Sequence, residues 1–294
     1  MSVPAAYLGI IVIWSTTPLA IKWSSEGLGP WLGVSARMLI GVFVCLVMVA
    51  LMSRRMRWHS KALSTYVAAG LGVWGAMSTA YWASQFIPSG MISVVYGFTP
   101  VMTGVLAAIW LAERAFTRFR TLGMALGIAG LLLIFGHSLE LNGDATQGLF
   151  VMLLSVFIHS TSAIWVKRID SGLHPLETTT GALLVSLPLF FVSWLFLDGQ
   201  PPQETDMRAV WSVLYLGAIA SSLGFAMYFY VLREVAASRV ALITLLSPVL
   251  ALMLGNQLNG EQVSDADLFG TAIILLGLVS YQWGEGMLRH IQRV

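Results

Sequence analysis

Ten stretches of this chain stay apolar for roughly 17 to 25 residues, the length an α-helix needs to cross about 30 Å of hydrocarbon. They cover residues 4–23, 31–52, 62–86, 90–111, 121–135, 147–166, 177–197, 209–232, 240–258 and 268–286. The connections are short, the longest being "DGQPPQETDMR" from Asp198, so no soluble domain is inserted between them. Only 10% of the residues are charged, and the mean hydropathy is +0.80. A soluble domain carries about 25% charge, so this chain cannot cover its outside with polar groups and its solvent over most of its length must be lipid. In lipid every backbone polar group has to be satisfied within its own segment, which makes these stretches helices. The expected fold is an all-α integral membrane protein with ten transmembrane helices. The first run lacks a basic leader and a small-residue cleavage site, so it reads as a permanent span.

The basic residues orient these spans. With the N-terminus in the cytoplasm, thirteen of the sixteen Lys and Arg fall on the inner side, from Arg54, Arg55 and Arg57 through Lys167 and Arg168 to Arg289 and Arg293. Lys22 and Arg208 are left outside and Arg37 lies within span 2. The positive-inside rule therefore predicts a multi-pass protein of the cytoplasmic (inner) membrane with both termini in the cytoplasm.

The sequence also echoes itself. A shift of 148 residues lays Thr99, Pro100 and Glu113 on Ser247, Pro248 and Glu261; a shift of 145 lays Ser15, Thr16, Thr17 and Lys22 on Ser160, Thr161, Ser162 and Lys167; and near 147, Gly123 and Gly130 fall on Gly270 and Gly277. A nearly constant offset across five spans indicates one unit used twice, with residues 1–138 as the first repeat and 139–294 as the second. Because five is odd, the second unit enters the membrane upside down. Inverted repeats recur in secondary transporters, whose substrate site lies near the midplane where the repeats meet.

These features resemble the drug/metabolite transporter superfamily, specifically its EamA-type ten-helix members. The resemblance rests on "WSTTPLAIK" in span 1, Arg37 in span 2, and the small-polar residue, proline, apolar run and glutamate used in spans 4 and 9. Within the superfamily the chain is most similar to bacterial exporters of aromatic and other hydrophobic amino acids. Span 1 departs from many relatives in carrying Ser15 and Thr16 after Trp14.

Helical spacing puts Ser93, Tyr96, Pro100 and Thr103 on one side of span 4, Trp74, Ser78, Tyr81 and Gln85 on one side of span 3, Ser221, Phe225 and Tyr228 on span 8, and His159, Ser162 and Trp165 on span 6. Such stripes suit a flat apolar group with a polar head. The substrate-binding candidates are Trp14, Ser78, Tyr81, Tyr96, His159, Trp165, Tyr228 and Ser247. Pro100 and Pro248 are the candidate kinks and gates, since a proline within a helix removes a backbone hydrogen bond that Thr99 or Ser247 can repair. Arg37, two turns into span 2, must pair or snorkel; a structural role beside Glu261 and contact with a substrate carboxylate both stay open. No Asp or Glu occupies a span centre, and His159 is the only deep group that titrates near neutrality. Gly123, Gly127 and Gly130 form a close-packing face.

The five histidines are dispersed, with no metal-ligand spacing and no phosphate loop, so the chain is expected to be no enzyme and to need no cofactor or metal. Its partners are a small-molecule substrate and the lipid bilayer, not nucleic acid, and its oligomeric state is open. The expected function is export of small amphipathic metabolites, aromatic or large neutral amino acids, by alternating access. Multidrug export and nucleotide-sugar or sugar-phosphate transport on the same fold are the alternatives.

Overall fold

The computed structural model describes residues 2–111, 118–141, 143–200, 202, 205–240 and 247–291, and among them every regular element is helical. The first half of the chain forms α1 (Val3–Leu28), α2 (Pro30–Leu51), α3 (Ser60–Ala83), α4 (Ser89–Tyr96), α5 (Thr99–Leu111) and α6 (Arg118–Leu141). The second half forms α7 (Gly143–Ile169), α8 (Pro175–Leu197), α9 (Met207–Tyr215), a π-helical segment (Leu216–Gly224), α10 (Phe225–Glu234), α11 (Ala237–Val240), α12 (Ser247–Asn259) and α13 (Asp265–Ile291). Among the described residues, six helical stretches are long and apolar enough to cross a membrane: Val3–Leu28, Pro30–Leu51, Ser89–Leu111, Gly143–Ile169, Pro175–Leu197 and Met207–Glu234. Glu113 of the sequence echo lies outside the described residues.

Local chemistry sets the helix starts. The side chains of Ser2, His59, His174 and Asp206 each accept a backbone N–H of the first turn of α1, α3, α8 and α9. Gly29, at φ +75°, turns α1 directly into α2, a backbone conformation that costs glycine little.

The burial pattern suits lipid. Phe43 and Phe196 are exposed on the outside of the bundle, while Arg37, Ser35, Thr179 and Thr180 are buried. Many buried hydroxyls bond within their own helices or across to neighbours: Thr180 donates to Leu176 O at 2.7 Å, and Ser35 to Trp31 O at 2.7 Å and Phe190 O at 3.2 Å.

The two halves pack in matching pairs. Helix α3 lies against α7 and α8, as α9, α10 and the π segment lie against α1 and α2; α4 and α5 meet α7 as α12 meets α1; and α6 packs along α13. In that last pair, an added Cβ on Gly123 would collide with Gly277 O and one on Gly130 with Gly270 O, and Gly270 and Gly277 return the same contacts. The glycine face is thus a seam of near backbone contact. The lysines match as well. Lys22 Nζ donates to Ser84 O at 2.7 Å and Ile87 O at 3.4 Å, just past the C-terminus of α3, and Lys167 Nζ donates to Leu232 O at 2.7 Å and Val235 O at 3.0 Å, at the C-terminus of α10.

The proline stretch differs from a kinked continuous helix. Span 4 is interrupted at Gly97 and Phe98, and Pro100 sits in the first turn of α5, where its missing N–H leaves no helical acceptor unserved. Pro248 is the second residue of α12, and the stretch before it, 241–246, lies outside the described residues. The carbonyl of Tyr96 takes the hydroxyl of Thr99 at 2.5 Å. The prolines that do lie inside helices are Pro18 in α1 and Pro188 in α8.

Candidate functional site

A central cavity with about 870 Å³ of empty space, including its open part, lies between the two halves. Four aromatic rings meet in it. Trp14 from α1 and His159 from α7 stand edge to face at 6.1 Å between centroids, and Tyr228 from α10 lies 5.3 Å from each of them. Tyr96, at the end of α4, meets His159 at 5.9 Å. Trp14 and His159 stand 145 residues apart, the offset of the span 1 echo.

The backbone breaks account for this convergence. Pro18 deprives Trp14 O of its helical donor, in the turn that also brings Thr17 and Ile21 to the cavity wall. The end of α4 at Gly97 leaves Tyr96 on a helix terminus facing α7, where its hydroxyl lies 2.8 Å from Ser155 Oγ. Ser155 gives its own proton to Ala76 O at 2.6 Å, so Tyr96 is the donor in that bond and its oxygen keeps acceptor capacity. The π-helical segment is pressed against α2, with Gly217 beside Ile40 and Arg37 O, and Gly41 beside Ser221. That approach lets Arg37 Nε donate to Ser221 Oγ at 2.8 Å.

Of the residues expected to bind substrate, Trp14, Tyr96, His159, Tyr228 and Ser247 line this cavity, and so does Arg37. Ser78, Tyr81 and Trp165 do not. Trp165 is 47% exposed on the outside of α7, rotated away from the stripe that carries His159 and Ser162. Ser78 is buried outside the cavity, and Tyr81 is fully buried against α1, where it accepts from Ser24 Oγ at 3.4 Å. Trp74, from the same expected face of span 3, donates to Ser193 Oγ on α8 at 3.0 Å. The polar stripe of α3 therefore serves helix packing, and the neighbouring face, with Val73, Ala76, Met77 and Ala80, forms the wall. The stripe on span 4 is also divided, because the break after Tyr96 sends Thr99 and Thr103 to a smaller cavity behind the aromatic cluster.

Arg37 does not pair with Glu261. Glu261 accepts from Ser89 N and Ser89 Oγ, both at 3.0 Å, and from Gly90 N at 3.3 Å, capping the N-terminus of α4. That terminus offers unpaired N–H groups to a carboxylate, whereas Arg37 bonds to Ser221 of the π segment. Wall residues missing from the sequence candidates include Ile21, Met77, Ile92 and Phe229. Ile21 repeats the Trp14 and Thr17 spacing along α1, which was a readable signal; Met77 and Phe229 carry none beyond apolarity.

The model of the EamA-like transporter family matches residues 3–136 and again residues 146–281. The chain belongs to the EamA-like transporter family. Its relatives agree in length: "Uncharacterized transporter YoaV" of Bacillus subtilis is 25% identical over 279 residues, spanning 92% of this chain and 94% of the relative. "Probable amino-acid metabolite efflux pump" of Salmonella typhimurium is 27% identical over 279 residues, spanning 92% and 91%. A solved crystal structure superposes with a TM-score of 0.73 at 17% identity, over 96% of this chain and 98% of its own, a likeness of fold. This EamA-like protein is accordingly a multi-pass membrane transporter and not an enzyme.

Proposed function

We propose that this EamA-like transporter is a secondary exporter of small amphipathic metabolites, with aromatic and large neutral amino acids as its substrate class, working by alternating access across the cytoplasmic membrane. The observation that carries the reading is the aromatic cluster itself: Trp14 and Tyr96 come from one half, His159 and Tyr228 from the other, and they meet in a mostly apolar cavity between the halves. A flat apolar body would lie among these rings, with Ser247 beside its polar end. The relatives named as amino-acid metabolite efflux pumps support the substrate class.

The architecture belonging to this reading has ten spans in two inverted halves, 1–138 and 139–294, with both termini cytoplasmic. The twofold family match, the matching helix pairs and the equivalent bonds of Lys22 and Lys167 support it. The first half breaks at its proline motif, and Pro100 and Pro248 would mark the hinges where the half-helices move. A nucleotide-sugar carrier fits less well, because the described cavity wall offers Arg37 as its one Lys or Arg side chain.

Uptake by the purified protein in liposomes tests the reading directly, with phenylalanine, a nucleotide sugar and a cationic dye as competing cargoes. Saturable movement of phenylalanine with little of the other two is expected. Movement of the dye alone would replace amino-acid export with multidrug export.

A further inference from the structure

Arg37 is 2% exposed, yet it lines the central cavity. Its Nε is held by Ser221 Oγ, and its Nη1 is buried with no hydrogen-bond partner among the described residues. It makes no ion pair there, and no Asp or Glu forms part of the described cavity wall. Lys22 and Lys167 are occupied by backbone carbonyls at the two ends of the bundle. A guanidinium removed from water with neither counter-ion nor full hydrogen bonding is unfavourable until an anion arrives.

From this geometry we infer that Arg37 is a carboxylate subsite, and that the cavity selects cargo by net charge: aromatic or large apolar monocarboxylates first, zwitterionic amino acids next, aromatic amines last. The inference rests on the transport reading above and adds the group that receives the polar end of the cargo. With Nε tied to Ser221, the guanidinium keeps its Nη donors for a carboxylate oxygen, Nη1 among them buried without a partner. The flat body of the same molecule then reaches the Trp14, His159 and Tyr228 rings that share the cavity. An ammonium group finds no carboxylate on the described wall, only ring faces and hydroxyls, which places amines last.

The test measures binding to the purified full-length protein in detergent by calorimetry, using 3-phenylpropanoate, its neutral amide, phenylalanine and phenethylamine. The acid should bind at least about tenfold more tightly than the amide, the scale of a hydrogen bond to a charged group, with phenylalanine between acid and amine. Arg37→Gln should bring acid and amide to equal affinity, and Arg37→Lys should keep part of the preference. Equal binding of acid and amide by the unaltered protein, or a preference that survives Arg37→Gln, overturns the subsite and leaves the aromatic cavity standing. Failure of every probe to bind overturns both this inference and the transport reading. Equal binding of acid and amide by the unaltered protein overturns the subsite even if the Gln variant does not fold, and a preference undiminished in Arg37→Lys and in Arg37→Met does the same.

Discussion

Trp14 and Trp165 separate a cavity role from a membrane-facing one at the scale of single residues. Trp14→Ala removes a ring in contact with His159 and Tyr228 and should lower phenylalanine transport roughly tenfold, as loss of aromatic contact and buried area implies. Trp165→Ala changes a side chain that is nearly half exposed and should change transport by less than about twofold, within the small effect of surface substitutions. Tyr81→Ala is different again: it empties a fully buried site away from the cavity and should cost about 3–5 kcal/mol of stability. Its loss of transport should be the same for phenylalanine and for a small aliphatic amino acid. Thermal unfolding and paired transport assays distinguish the three, and a selective loss in the Tyr81 variant would place that residue in the substrate path. The sequence could assemble Trp14, Tyr96, His159 and Tyr228 because each is a polar-tipped aromatic deep in a span. Periodicity alone could not tell the cavity face of α3 from its packing face. Trp74 and Tyr81 look like binding groups until Ser193 and Ser24 appear opposite them.

The elements show how much the repeat constrains. Lys22 and Lys167 each end the polar stretch of their span and reach carbonyls about 65 residues further on, Ser84 and Ile87 in one half, Leu232, Arg233 and Val235 in the other. A helix C-terminus carries unpaired carbonyls and partial negative charge, so a cation there satisfies both. Substituting either lysine by methionine should destabilise the protein by about 2 kcal/mol, the range for hydrogen bonds to charged groups, and by similar amounts. Thermal unfolding of the two variants checks this, and a large effect in one with none in the other would argue against equivalent halves. The equivalence of these lysines was legible as an offset of 145 residues, but their acceptors were not, because carbonyls at helix ends leave no trace in side-chain identity. The proline motif was half legible in the same way. The residues marked the right place and Thr99 the right repair, yet whether proline bends a helix or starts a new one depends on Gly97 and Phe98 releasing the chain before it.

Across the whole molecule, the halves are tied at both ends, by Arg57 Nε to Glu177 Oε2 at 2.9 Å at one and by a further set of contacts at the other, and each set must part if cargo is to pass. At the end bearing Lys22, Trp23 Nε1 donates to Asn259 Oδ1 at 2.7 Å, joining α1 to α12, and Glu261 caps the start of α4. Both contacts join the first half to the second, whereas Lys22 and Lys167 brace each half internally. Alternating access therefore predicts that the Trp23 and Glu261 contacts separate while the lysine bonds persist as each half moves as a body. Cysteines at 23 and 259, in a Cys45→Ser background, joined by a short reducible bis-thiosulfonate, should hold this end shut. Transport should then stop, ligand entering from the opposite end should still bind, and reductant should restore transport. A ligand can shift the balance of two states only as far as it prefers one of them, so cargo should also slow cross-linking if the opened state holds it more tightly. Transport that continues across the closed tie would mean that this end never opens and that the path runs elsewhere.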